Sequence, residues 1–265
     1  MEKQINHLEE YIQSRRRKGG YMLFKEDAIK SMKVSENAFY CSISRLAKKR
    51  AIAHIKKGLY AIVPPEYFYR GTIPPKWFID DLMKHLKQPY YIGLLSAAAL
   101  HGSAHQAPQV LQVITDKKIR PLRNKFFHIT FHCSKNMSLI PVQDIKTPTG
   151  YIKVSTPEGT AFDLLRYMHQ SGNLNHVALV LSELAETIQG NEIVKVGKRQ
   201  PIIYCQRLGY LLDTLGHSSL TQTLYTLLQS QKLNFIFLRP DSSSKEFEKN
   251  LKWRILVNEK IDLDI

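Results

Sequence analysis

Between Ser35 and Ile62 the chain reads "SENAFYCSISRLAKKRAIAHIKKGLYAI", and its hydrophobic period changes within that stretch. Phe39, Ile43, Leu46 and Ala47 recur at i, i+4, i+7 and i+8, the stripe of an amphipathic helix. Ser35 stands where an N-cap belongs, and Glu36 sits at the positive end of the helix dipole. Past Arg50 the pattern becomes two short β-prone runs, "AIAHI" and "LYAIV", parted by Lys56-Lys57-Gly58. A helix feeding directly into a basic-tipped hairpin narrows the architecture to very few motifs.

Two helices are expected before it. Ile5, Leu8 and Ile12 follow a helical rhythm that ends at Gly19-Gly20, after the run Arg15-Arg16-Arg17-Lys18. A second helix fits 24–32, with Ala28, Ile29 and Met32 inward and a tight turn through Lys33-Val34 after it. Three helices followed by a hairpin predict a winged helix-turn-helix over 1–63. Opposite the buried stripe of the third helix lie Asn37, Cys41, Ser44, Arg45 and Lys48, with Tyr40 on its flank. Short polar groups and cations on one helical face suit base edges and phosphates in a major groove. The expected DNA-binding residues are Asn37, Tyr40, Ser44, Arg45, Lys48 and Lys49 on the helix, with Lys56 and Lys57 on the wing.

Charge supports an acidic partner. The chain carries a formal +15, and its first sixty residues hold fourteen Lys/Arg against six Asp/Glu. More than half of the excess therefore lies in less than a quarter of the chain. Such an excess bears on partners and not on fold. The alternative is a solvated surface, because cations at a helix C-terminus also complement its dipole.

"VPPEYFYRGTIPPKW", with two Pro-Pro pairs, reads as a semi-rigid extended connection, the linker proper being 64–74. Beyond it, 75–265 is expected to be a larger mixed domain with one central sheet and packed helices, making the fold class α/β (α+β). Helices fit 75–87, 93–101, 157–169, 174–188, 201–215 and 218–231. Strands fit 109–115, 126–133, 150–155, 234–240 and 253–258.

The candidate catalytic constellations are weak. Gly102-Ser103 followed by Asp116 resembles a nucleotidyltransferase pattern, but Lys117 and Lys118 stand where a second metal-holding acid is needed. Asp262 and Asp264 form a DxD close to the end of the sequence. His101 with His105, and His128 with His132, have i, i+4 spacing without a third ligand in register. No catalytic residue, cofactor or metal is expected, and the chain is read as a non-enzyme. Cys41, Cys133 and Cys205 are odd in number and far apart, which suits a reducing compartment. A polar N-terminus and the lack of a long apolar run predict a cytoplasmic protein with no membrane span.

Several segments, taken in order, resemble the AbiEi-type antitoxins of bacterial type IV toxin–antitoxin systems, which are linked to abortive phage infection. These are "KKGLYAIVP", "YYIGLLSAAALHG" at 90–102, "IKVSTPEGTAFDLL" at 152–165, "QRLGYLLDTLG" at 206–216 and "NLKWRILVNEKID". The resemblance implies a winged helix that represses its own operon by binding promoter inverted repeats in double-stranded DNA. It implies a C-terminal antitoxin domain that neutralises a separately encoded nucleotidyltransferase toxin, no stable complex being required, and self-association on DNA. Within these segments Thr156-Pro157-Glu158 looks like a helix start. Arg207 and Asp213 read as an internal salt bridge or as exposed functional charges. Three other readings stay open: a stand-alone regulator with a ligand-sensing larger domain, an enzyme that modifies the toxin, and an RNA-binding protein.

Overall fold

The computed structural model describes residues 2–103, 108–242 and 246–262, with side chains from residue 7 onward. The chain divides into two compact units, neither of them continuous. Unit 1 comprises Met1–Tyr90, Arg120–Ile129 and Asp144–Lys153; unit 2 comprises Tyr91–Ile119, Thr130–Gln143 and Val154–Ile265.

Unit 1 begins with α1 (Glu2–Arg17), β1 (Met22–Phe24), α2 (Lys25–Met32), α3 (Glu36–Lys48), β2 (Ile52–Lys56) and β3 (Leu59–Ile62). The strands form an antiparallel sheet in the order β1-β3-β2. Three helices and this sheet follow winged-helix order, as the change of period implied. Leu8, Leu23, Ala28, Phe39, Ile43, Leu46 and Tyr60 share one core, with Ile12, Ile29 and Met32 packed on it. The side chain of Ile5 lies outside the described residues. Ala47, expected inward, is exposed, because the buried stripe closes at Leu46. Ser35 caps α3 as anticipated, accepting from the Ala38 N–H at 3.3 Å. Lys33 ends α2 in the left-handed region at φ 53°. The strand β1 was not foreseen; it is only three residues long and pairs with β3 from Met22↔Ala61 to Phe24↔Leu59.

The Pro-rich stretch is folded where an extended connection was expected. Pro65–Tyr67 and Pro75–Trp77 form 3-10 turns, each opened by a proline whose fixed φ suits the first helical position. Ile73 is buried, and Trp77 packs edge-on against Tyr21 and Tyr67. After it come α4 (Ile79–His85), β4 (Tyr90–Ile92), α5 (Leu94–Leu100), β5 (Leu111–Thr115), β6 (Leu122–Arg123), β7 (His128–Cys133), β8 (Val142–Thr147) and β9 (Gly150–Ser155). One mixed sheet runs in the order β6-β7-β5-β4-β9-β8, with β4 parallel to β9 and β6 antiparallel to β7.

The rest of unit 2 is mainly helical: α6 (Pro157–Arg166), α7 (Leu174–Leu184), α8 (Gly190–Gly197), α9 (Ile202–Thr214) and α10 (Ser218–Gln229). A three-stranded sheet of β10 (Ile236–Phe237), β11 (Glu248–Asn250) and β12 (Ile255–Val257) completes it, in the order β10-β12-β11. Thr156 caps α6 by accepting from the Gly159 N–H, with Pro157 at the first helical position, as its spelling suggested. No helix was expected at 190–197, which carries a glycine at each end. Both glycines allow close helix packing. A Cβ on Gly190 would lie 3.3 Å from Thr223 Oγ1, and one on Gly197 3.2 Å from Leu227 Cδ2, both partners belonging to α10.

Trp253, fully buried, lies directly on α9. A Cβ on Gly209 would fall 2.0 Å from its Cζ3 atom, so only glycine admits the indole here. One turn on, Asp213 Oδ2 accepts from Trp253 Nε1 at 3.0 Å and from Lys252 Nζ at 2.8 Å. Burial works against ionisation of Asp213, yet the bonds from Lys252 and Trp253 outweigh it and hold the carboxyl below its ordinary pKa. Arg207 is buried and donates from Nε to the Phe237 carbonyl at 3.1 Å. Both charges thus serve the interior, each with a different partner from the other. Substituting Gly209→Ala should lower stability by about 3 kcal/mol through overpacking, read as a shift in the urea midpoint.

Asp163 is fully buried in α6; its Oδ2 accepts from the Tyr91 hydroxyl at 2.8 Å, and its Oδ1 has no partner. Burial pushes its pKa up from 3.8 to about 7, against smaller opposing effects of the Tyr91 bond and the Arg166 charge. A carboxyl that binds its proton more tightly when folded loses stability as pH rises between the unfolded and folded values. Urea unfolding from pH 4 upward should show that loss, at a slope of at most about 1.4 kcal/mol per pH unit. Asp163→Asn keeps an acceptor for Tyr91 and should flatten the slope.

Candidate nucleic-acid interface

The exposed side of α3 carries most of the polar residues singled out in the sequence. Asn37, Tyr40, Cys41, Ser44, Arg45, Lys48 and Lys49 are all exposed. At the wing the two lysines differ: Lys57 is exposed and Lys56 half-buried. The turn is short, since Lys56 already pairs with Leu59 and leaves only Lys57-Gly58 between the strands. Gly58 takes φ +77°, the left-handed conformation such a turn needs.

Lys25, which sequence reasoning passed over, ties the turn to the helix. Its N–H donates to the Gly58 carbonyl at 2.9 Å. Its Nζ donates to Glu36 Oε2 at 2.9 Å and lies 5.1 Å from the centre of the Tyr40 ring. The Glu36 bond, followed by the Tyr40 contact, pushes its pKa up to about 12. No periodic signal marks this lysine, because its role comes from backbone pairing across the sheet. On the other side of the turn the His85 ring meets the Lys57 carbonyl at 3.2 Å.

The cations of α3 gather on one flank. Arg45, Lys48 and Lys49 border a mostly apolar depression of about 310 Å³ with Leu8, Glu9, Ser42 and Leu46, which places them on the α1 side. Lys49 approaches Glu9 at 4.0 Å. Tyr40 lies on the opposite flank, beside Lys25. The surface therefore offers one cationic edge toward α1, a polar centre at Asn37, Cys41 and Ser44, and a second edge formed by Lys25 and the turn.

Of the other constellations, the described members make structural contacts. His101 Nε2 meets the Ser155 carbonyl at 2.7 Å, a structural role. His105 and Asp264 lie outside the described residues. His132 is half-buried, its pKa lowered by burial, and lies 3.2 Å from Thr130 Oγ1. The Asp116 carbonyl accepts from Cys133 Sγ at 3.3 Å. Among the described residues no three His, Cys, Asp or Glu side chains come together as a metal cluster, and no helix is long and apolar enough to cross a membrane. A polar cavity of about 340 Å³ in unit 1 mixes Lys76, Lys84 and Lys153 with Asp80, Asp81 and Asp144. Lys84 pairs with Asp80 at 2.5 Å, and the Tyr90 hydroxyl donates to the same Asp80 at 3.1 Å.

No curated protein matches the chain. Among solved structures it is similar to the RV2827C protein from Mycobacterium tuberculosis, with a TM-score of 0.67 and 14% identity. That similarity covers 95% of this chain and 91% of the other, and at such identity it shows a shared fold alone. Residues 91–214 match the family model for the AbiEi antitoxin C-terminal domain, so the chain is similar to AbiEi-type antitoxins where that domain lies.

Proposed function

We propose that this protein is a type IV antitoxin acting in the cytoplasm. In this reading residues 75–265 neutralise a cognate nucleotidyltransferase toxin without needing a stable complex. Residues 1–63 repress the protein's own operon by winged-helix binding to inverted repeats in its promoter, two copies acting together. The observation that carries the reading is the match of 91–214 to the AbiEi antitoxin C-terminal domain. The exposed polar and cationic surface of α3, with Lys57 at the turn, supports the DNA half. Asn37, Tyr40 and Ser44 are assigned to base edges, and Arg45, Lys48, Lys49, Lys56 and Lys57 to phosphates.

Binding of a labelled promoter duplex tests the DNA half. Arg45→Ala and Lys48→Ala should each weaken binding and reduce the salt slope by about one unit, with thermal unfolding unchanged. An unaltered slope would remove these residues from the interface. Because unit 1 takes in segments as late as Asp144–Lys153, the antitoxin half is better tested in the full chain than by truncation. Co-expressed with the product of the neighbouring gene, both the parent protein and an Arg45→Glu/Lys48→Glu variant should restore growth. Growth restored by the parent alone would place the helix face in neutralisation. Failure of both would favour a ligand-sensing regulator.

A further inference from the structure

The C-terminal sheet has two unlike faces. Its inner face buries Leu238, Trp253 and Ile255 completely. Side chains alternate along a strand, so the neighbours of these residues point the other way. Register brings them together: Phe237 pairs with Leu256, and Leu256 with Lys249. Phe235, just before β10, joins them, with the Arg254 guanidinium 5.1 Å from its ring centre and Lys249 Nζ at 5.8 Å. Phe247 stands edge-on to Phe237, centroids 5.8 Å apart. Phe237 is 40% exposed, Phe247 43% and Leu251 70%, far more than packing within the chain requires.

The outward set therefore includes three aromatic rings, Leu256 and two cations. Within β11, Glu248 alternates to the opposite side, where it approaches Lys260 at 4.0 Å. A protein partner matched to two cations would have to bring acids onto an otherwise aromatic surface. A single strand of nucleic acid supplies both requirements at once, with flat bases to stack on exposed rings and phosphates to meet Lys and Arg.

We propose that the outer face of β10, β12 and β11 binds single-stranded RNA, with Phe237 and Phe247 as stacking platforms and Lys249 and Arg254 as phosphate contacts. RNA is preferred to DNA because it is the nucleic acid that cells hold in quantity as exposed single strands. This site is separate from α3 and does not depend on the operator reading.

The test uses the full-length protein and fluorescence anisotropy of labelled oligouridylate and oligoadenylate, with single-stranded DNA of matching length and a promoter duplex as competitors. Phe237→Ala/Phe247→Ala should weaken RNA binding about tenfold or more, since each stacked base is worth roughly 1–3 kcal/mol. Phe237→Tyr, which keeps the ring, should bind like the parent, and Lys249→Glu should lose affinity most steeply at low salt. Arg45→Glu/Lys48→Glu should leave RNA binding intact. If the double alanine variant fails to fold, Phe247→Ala alone serves, with an expected loss of about fivefold. Three outcomes would overturn the proposal: no RNA binding by the parent, parental affinity in the alanine variants, or stronger competition by single-stranded DNA.

Discussion

Unit 2 depends on one contact, the indole of Trp253 laid against the backbone of α9. A tryptophan buries more apolar surface than other residues, but its N–H must find an acceptor once it leaves water. Gly209 supplies the space and Asp213, one turn later, supplies the acceptor. Lys252, next to the tryptophan, adds its charge to the same carboxylate. Sequence neighbours from the C-terminal segment and a single helical face thereby fix a short sheet that has too few residues to stand by itself. Gln206, two turns before Asp213 on that helix, reinforces the junction by donating to the Trp253 and Asn234 carbonyls, both at 3.0 Å.

The same economy recurs elsewhere in the helical part. Where two helices need to come close, a glycine stands at the crossing, as at Gly190 and Gly197 against α10. Where a polar group is buried, most of its bonds are made to neighbouring backbone. Gln112 takes the Leu95 N–H and gives to the Gln170 carbonyl, pinning the start of α5 to β5. Asp163 departs from this rule, retaining one unbonded oxygen in the interior. A neutral carboxyl tolerates that position far better than an ionised one.

Much of this was legible in the sequence, and the rest was not for identifiable reasons. The stripe Phe39-Ile43-Leu46 and the Ser35 cap fixed α3, and Thr156-Pro157 fixed the start of α6, because both signals are local. β8 escaped notice since it is exposed along most of its length and shows no alternation. β1 and β4 are three residues each, too short for any period to register. α8 was hidden by glycines whose purpose is packing against a helix thirty residues later. Proline signals misled at 64–77, where they open 3-10 turns around Trp77 in place of extending the chain. For the candidate interface the residues of α3 could be named in advance. Their division into two edges could not, because it depends on α1 and on Lys25, and a helical wheel contains neither.

Lys25 has a consequence for any ligand of this surface. Its backbone holds the β2–β3 turn while its side chain holds the first turn of α3 through Glu36 and Tyr40. The His85 ring closes on the same turn from α4. A hairpin secured on both sides cannot swing to meet a partner, so its shape is set before contact. Little ordering entropy is then left to lose on association. The corresponding cost is tolerance: a fixed turn accepts only partners whose shape already matches its distance from the helix.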